Sequence, residues 1–209
     1  GLLPPRSSVK ARVFTIEPLA LDHADALFEA GQPEEIWRWW PFNPARDREA
    51  FHAWMTDALD AVAAGREMRF AILDPGGKPI GSTSYCDIRP ENRALEIGWT
   101  WLTPSAWGSG ANAEAKLLLL RHAFEVLGCH RVEFHTDELN TRSRAALAAL
   151  PARLDGVLRD WKQMADGRWR SNAVYSILAD EWPKAEAALN RRVEAQAARE
   201  GRGGGGGYC

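Results

Sequence analysis

The stretch from Ala94 to Thr136 constrains this chain more than any other. Ala94–Leu102 (ALEIGWTWL) reads as a strand, Thr103–Gly110 as a loop rich in Pro, Ser and Gly, and Ala111–Leu127 as an apolar-periodic helix that stops at Gly128. Arg131–Thr136 is a second strand. Strand, helix and strand in that succession favour parallel pairing of the two strands. The flanking signals are of another kind. Arg69–Leu73 and Pro79–Asp87 frame Asp74-Pro75-Gly76-Gly77-Lys78, a strong hairpin turn. Upstream, Val13–Leu19 reads as a strand ending near Pro18, followed by a helix to Ala30 with Asp22 as its N-cap. A second helix start lies at Pro33-Glu34-Glu35, and a third helix runs from Asp47 to Ala64. Downstream come a helix over Asn140–Leu150, strands over Leu154–Asp160 and Asn172–Leu178, and a terminal helix from Asp180-Glu181-Trp182-Pro183 to about Glu200. This order predicts a mixed α/β sheet in one domain over residues 12–200. An N-terminal extension (1–11) precedes it, and a Gly-rich flexible tail (201–209) follows.

Composition narrows the function. A 45% hydrophobic share supports a sizeable core. Twenty-six Lys and Arg against 28 Asp and Glu give a net charge of −2, which weighs against a nucleic-acid partner despite the local pairs Arg142/Arg144 and Arg168/Arg170. Cys86, Cys129 and Cys209 are too scattered for a disulfide framework or a metal site, so no metal is expected. No apolar run is long enough to cross a membrane, and residues 1–8 lack the apolar region of a signal peptide. The chain therefore reads as soluble and cytoplasmic, with no membrane partner.

The loop before the central helix carries chemistry. Unpaired N–H groups and the dipole at a helix N-terminus favour an anion, and Gly108 and Gly110 allow close approach by a phosphate. On the residues alone, this stands beside a plain tight connection between strand and helix. The loop matches neither the Walker A pattern nor the dinucleotide fingerprint.

Four segments then point one way: Glu96-Ile97-Gly98-Trp99; Pro104 with Gly108-Ser109-Gly110-Ala111-Asn112-Ala113-Glu114-Ala115; Asn140-Thr141-Arg142-Ser143; and Asp155-Gly156-Val157-Leu158-Arg159. Together they resemble the GNAT-type acetyl-CoA-dependent N-acetyltransferases, in particular the RimJ/RimL-like ribosomal-protein N-terminal type, over about Arg12–Leu189. The resemblance implies a mostly antiparallel central sheet whose central parallel pair is splayed at the cofactor site, with helices on both faces. It implies acetyl-CoA as co-substrate, its pyrophosphate over the helix start and its pantetheine arm paired like an extra strand near Trp99–Thr103. The implied cofactor set is Trp101, Leu102, Thr103, Trp107, Gly108, Ser109, Gly110, Ala111, Asn112 and Ala113, with Asn140, Ser143 and Arg144. Asn140 is equally explained as the N-cap of its helix. The sequence departs from the family at Trp107 and Asn112, the ends of the loop motif, and at Lys162, where the ribosomal-type relatives carry Glu. The backbone donors of the loop do not depend on those side chains.

The expected reaction is acetyl transfer to a primary amine, on a protein or peptide N-terminus or a small molecule, by direct attack in a ternary complex. An α-amine has a pKa of roughly 7.7–8.0 and needs little help to lose its proton, and neither Cys86 nor Cys129 lies in a Cys/His arrangement for an acyl-enzyme. The resemblance implies a hydroxyl near the thioester sulfur, here Ser143. Candidate bases are Glu96, His135, Asp137 and Asp160. Glu96, between Leu95 and Ile97, is where desolvation raises a carboxyl pKa, and a structural carboxylate remains the alternative there. Ten tryptophans are an unusual excess. Trp37, Trp39, Trp40 and Phe42 cannot share one helix face; the resemblance implies that this segment borders the acceptor, so with Tyr85 they are the expected acceptor wall or lid, and a packing cluster is the other reading. Lys184–Glu200 reads as a solvated helix or a homodimer contact. A non-catalytic acyl-CoA-binding or sensing module on the same fold is the alternative function.

Overall fold

The computed structural model describes residues 9–10 and 13–203, with side chains over 13–198. Their strands are β1 (Val9–Lys10), β2 (Thr15–Pro18), β3 (Met68–Leu73), β4 (Pro79–Arg89), β5 (Ala94–Leu102), β6 (Arg131–Asp137), β7 (Arg153–Gln163) and β8 (Trp169–Leu178). The helices are α1 (Ala24–Ala30), α2 (Arg48–Ala63), α3 (Ala111–Arg121), α4 (Thr141–Ala148) and α5 (Trp182–Gly203). The strands form one eight-stranded sheet in the order β1-β2-β3-β4-β5-β6-β8-β7. Every neighbouring pair is antiparallel except β5 and β6, as the strand–helix–strand pattern predicts.

Two apolar clusters cover opposite faces of the sheet. One joins sheet residues such as Phe70, Ile97 and Val132 to Leu117 and Leu120 of α3 and Leu189 of α5. The other joins Ala71, Leu73 and Trp101 to Leu27 of α1 and Phe51, Trp54 and Met55 of α2. Pro79 to Cys86 of β4 is buried at every position, as expected of a strand covered on both faces.

Several local expectations change. Asp22 does not cap α1. The chain enters through a 3-10 turn, Leu21–His23, in which the Ala20 N–H donates to His23 Nδ1 (3.1 Å) while His23 Nε2 meets Glu17 Oε1 (2.7 Å). Pro33-Glu34-Glu35 opens only a 3-10 turn, Glu34–Trp37, because Pro41 restricts the residue before it and blocks propagation. Asp47 does cap α2, accepting from Ala50 N. The helix predicted to Leu127 passes into a π-helical turn at His122–Val126. There the Tyr85 hydroxyl donates to Leu119 O (2.6 Å), occupying a carbonyl of the α ladder, an insertion of the kind that shifts a helix to the wider turn. β7 is longer than predicted. α5 continues through the first three residues of the predicted tail; residues 204–209 lie outside the described residues, as does most of the predicted N-terminal extension. Among the described residues no helix is long and apolar enough to cross a membrane.

Candidate active site

β5 and β6 pair only at Ala94↔Arg131, Leu95↔Val132 and Glu96↔Glu133; beyond that point no register links them. The other edge of β5 stays bonded to β4, but its register shifts between Ser82↔Trp101 and Ser84↔Gly98. Trp99 takes up the extra residue with φ 51°, a left-handed conformation at a bulge. The strands therefore open a wedge whose β5 side, from Ile97 to Leu102, has no strand partner. Gly98 is required here: a Cβ would lie 2.8 Å from both Cys86 Sγ and Glu96 Oε1, where the Glu96 side chain folds back along the strand.

Two cavities, of about 300 and 310 Å³, open on this wedge and share Trp39, Trp40, Thr100, Lys116, Asn140, Ser143 and Leu147, so they form one cleft with two lobes. The first lobe is bordered by the start of α3. Gly110 precedes the helix with φ 97° and no side-chain cap. The Ala111 N–H donates to Ser109 Oγ (3.3 Å), whereas the N–H groups of Asn112 and Ala113 meet no acceptor among the described residues. Free N–H groups aligned with the helix dipole suit an anion. Arg142, its guanidinium 3.8 Å from the Trp107 ring centre, and Arg192 of α5 line the same lobe. Lys116 donates to Asn112 Oδ1 (2.8 Å), and burial, then Arg192, brings its pKa down to about 8. Gln196 of α5 reaches the Gly108 carbonyl (3.4 Å) and braces the loop.

The second lobe holds titratable groups. His135 lies between two carboxylates, with Nδ1 3.6 Å from Glu96 Oε2 and Nε2 3.3 Å from Glu133 Oε2. Burial raises the Glu96 pKa, and His135 opposes that shift. Burial would raise Glu133 too, but hydrogen bonds from Arg131 (2.7 Å) and Arg89 (2.8 Å) outweigh it and hold the pKa at about 2. Glu133 is thus a fixed anion that anchors the ring, and Glu96 is the carboxyl whose charge is negotiable. Burial pushes the Cys86 thiol at the cleft floor strongly up, so it is no nucleophile at neutral pH.

A family model described as an acetyltransferase (GNAT) domain matches residues 14–152. A protein from T. thermophilus, solved as a candidate acetyltransferase, is 40% identical, with 91% of this chain and 99% of that one covered at a TM-score of 0.80. A GCN5-related N-acetyltransferase from Brucella melitensis is 30% identical, covering 91% of this chain and 86% of its own at a TM-score of 0.83. An uncharacterized N-acetyltransferase of Bacillus licheniformis, p20, is 28% identical over 169 residues, 80% of this chain and 94% of that protein. The chain belongs to the GNAT acetyltransferase family.

Within this GNAT domain, most of the residues expected at the cofactor converge. Trp101, Leu102, Trp107, Gly108, Gly110, Asn112 and Ala113 line the loop-side lobe, and Asn140 and Ser143 line both. Thr103, Ser109 and Ala111 do not line it; Ser109 Oγ is turned to Ala106 O (2.7 Å) within the loop. Arg144 is a correction. Its guanidinium donates to Tyr175 Oη (3.0 Å) and Glu138 O (3.1 Å), and Arg142 takes the place in the cleft. Asn140 does cap α4, its Oδ1 accepting from Ser143 N (3.1 Å), which leaves its amide N free for a ligand.

Of the residues expected around the acceptor, Glu96, Trp39 and Trp40 line the cleft, but three expected wall residues do not. Trp37 is buried in the α1–α2 cluster and donates to Gly31 O (2.8 Å). Tyr85 is fully buried beneath α3, stacked on His122. Phe42 is exposed outside the cleft, against the edge of Trp40. Lys116, Arg170, Asn172, Arg192 and Gln196 are cleft groups that sequence reasoning missed. Arg170 and Asn172 were legible in part, as polar residues two apart on a strand.

Proposed function

We propose that the chain is an acetyl-CoA-dependent N-acetyltransferase that acylates a primary amine by direct attack within a ternary complex. The observation that carries this is the meeting of the two lobes at Ser143, with an anion-ready helix start on one side and the Glu96–His135 pair on the other. The N–H groups at the start of α3, with Arg142 and Arg192, fit the phosphates of the co-substrate. The unpaired edge of β5 suits an amide-bearing arm added as a strand. Acetyl-CoA, when bound, supplies the activated acetyl group.

The chain's own residues do the rest. Glu96, directly or through a water, accepts a proton from the acceptor ammonium, and Glu133 anchors the His135 ring that stands beside that carboxylate. Ser143 donates a hydrogen bond to the departing sulfur, which takes up the proton that the attacking nitrogen sheds as the amide forms, so that CoA leaves as its thiol. An α-amine titrates about 2.5 units below a lysine, worth roughly 3.4 kcal/mol of deprotonation, so a base of this kind suffices for it.

Calorimetric titration with acetyl-CoA, followed by CoA release across a panel of free amino acids, polyamines and peptide N-termini, tests the reading. Binding with release on at least one amine supports it. Binding without release on any of them points to an acyl-CoA-sensing module, and no binding overturns both.

A further inference from the structure

The acceptor lobe carries positive charge that acetyl transfer does not use. Lys162 of β7 and Arg170 of β8 stand directly opposite each other in the strand register, and both line the lobe. Like charges in that relation are destabilising unless something lies between them. No carboxylate among the described residues makes an ion pair with either. Asp137, on the same lobe, is taken by Arg168 Nη2 (2.6 Å) and by the Leu139 N–H (3.0 Å), and Glu96 faces His135. Arg170 spends one Nη on the Trp39 carbonyl (3.2 Å), while its Nε is buried without a partner. Burial lowers the Arg170 pKa, and Asp137 and Glu96 only act back on it through space. Lys162 holds its ammonium 5.7 Å from the Trp99 ring centre, at the mouth of the same lobe. Asn172 lies two residues along β8 from Arg170, on the same face, and its buried Oδ1 accepts no hydrogen bond. Two residues along a strand span about 7 Å. The lobe therefore offers hydrogen-bond acceptors, Asn172 Oδ1 and Glu96, at its deep end. About that far along the strand it offers a pair of cations that no carboxylate among the described residues ion-pairs, with the Trp40 and Trp99 rings, 5.3 Å apart, as the apolar wall beside them.

We propose that Lys162 and Arg170 form an anion subsite, and that the acceptor is a primary amine carrying a carboxylate within about 7 Å of its nitrogen. A free amino acid and a peptide N-terminus with an acidic residue close behind share this chemistry. A polyamine, which brings only positive charge to the same place, is excluded. The proposal rests on the acetyltransferase reading for the fate of the amine, but the subsite itself is a matter of binding.

The test compares matched acceptors: phenylalanine against phenylalaninamide, an alanyl-aspartyl peptide amide against its alanyl-asparaginyl counterpart, and spermidine. Each is measured by CoA release and by calorimetry on the protein held with CoA. The expected result is at least a tenfold advantage in kcat/KM, lying in KM, for the carboxylate member of one pair, with spermidine inert; the pair that shows it identifies the source. Lys162→Glu is expected to erase or invert that ratio, whereas a merely structural role would lower both members alike. Lys162→Met gives the same readout should the Glu variant fail to fold. Equal turnover or equal binding of acid and amide overturns the subsite and leaves the acetyltransferase reading standing. Carboxylate-selective binding that depends on Lys162, with no CoA released from any amine, upholds the subsite and removes the acetyltransferase reading.

Discussion

In the loop-side lobe backbone groups face the ligand, the N–H groups at the start of α3 and the Thr100–Leu102 end of the free β5 edge, with Arg142 and Arg192 beside them. In the acceptor lobe they are side chains gathered from distant segments, Trp39 and Trp40 before α2, Glu96 on β5, His135 on β6, Lys162 on β7 and Arg170 on β8. On this contrast the family departures at Trp107 and Asn112 leave the main-chain donors of the first lobe in place. A cradle of main-chain donors depends on helix geometry and on Gly110, not on side-chain identity. The acceptor lobe has no such insurance, and a single charge there changes what it can hold.

The sharpest way to break this comparison is Glu96→Gln. It is expected to lower kcat by about 10²–10⁴-fold while the acetyl-CoA dissociation constant, read by calorimetry, stays put. Because burial raises the Glu96 pKa, the acid limb of the rate profile should lie above the ordinary carboxyl range, with activity appearing as pH rises through it. The same limb should vanish in the Gln variant. Ser143→Ala removes one hydrogen bond to a developing thiolate, and steady-state kinetics should show a loss in kcat of about 10–150-fold with little change in KM for acetyl-CoA. Gly110→Ala forces a side chain onto φ 97°, which costs about 1–2 kcal/mol. KM for acetyl-CoA should rise about tenfold, equally for every acceptor.

Lys116 tests the charge of the junction between the lobes. Its folded pKa, about 8, lies below the unfolded value. Between the two the unfolded chain binds more protons, so stability should rise with pH from about 8 towards 10.4. Lys116→Met should flatten that slope in denaturant titrations. The smallest effect belongs to Asn112→Ala, whose side chain hydrogen-bonds only Lys116 among the described residues. A change in KM for acetyl-CoA beyond about threefold, more than a few tenths of a kcal/mol above a weak neutral contact, would falsify the backbone account of that lobe.

The same contrast decides what the sequence could say. The β5–loop–α3 segment is legible because its mechanics are local: a strand, two glycines and a helix start imply an anion cradle wherever they occur. The parallel pair follows from the same run, and the antiparallel remainder from hairpin turns such as Asp74–Lys78. Tyr85 and Trp37 mislead because nothing local says which way they face. β4 is buried on both sides, so no alternation marks an inner face, and Tyr85 turns under α3 to open the π-helical turn. Trp37 is claimed by α1 and α2 across a chain reversal. Arg144 and Arg142 are two residues apart on a helix, so only the tertiary setting decides which enters the cleft. Lys162 and Arg170 are distant in the chain, and their opposition exists only in the β7–β8 register.

The bracing of the glycine loop by α5 has a consequence in time. Strands β2 to β6 and helix α3 leave the ribosome first, and Arg192 and Gln196, which line and brace the loop-side lobe, are synthesised some eighty residues after Gly108. At 5–20 residues per second that delay is roughly 4–18 seconds. Until then the loop-side lobe lacks both α5 side chains that border it, and the last helix is the segment that completes it.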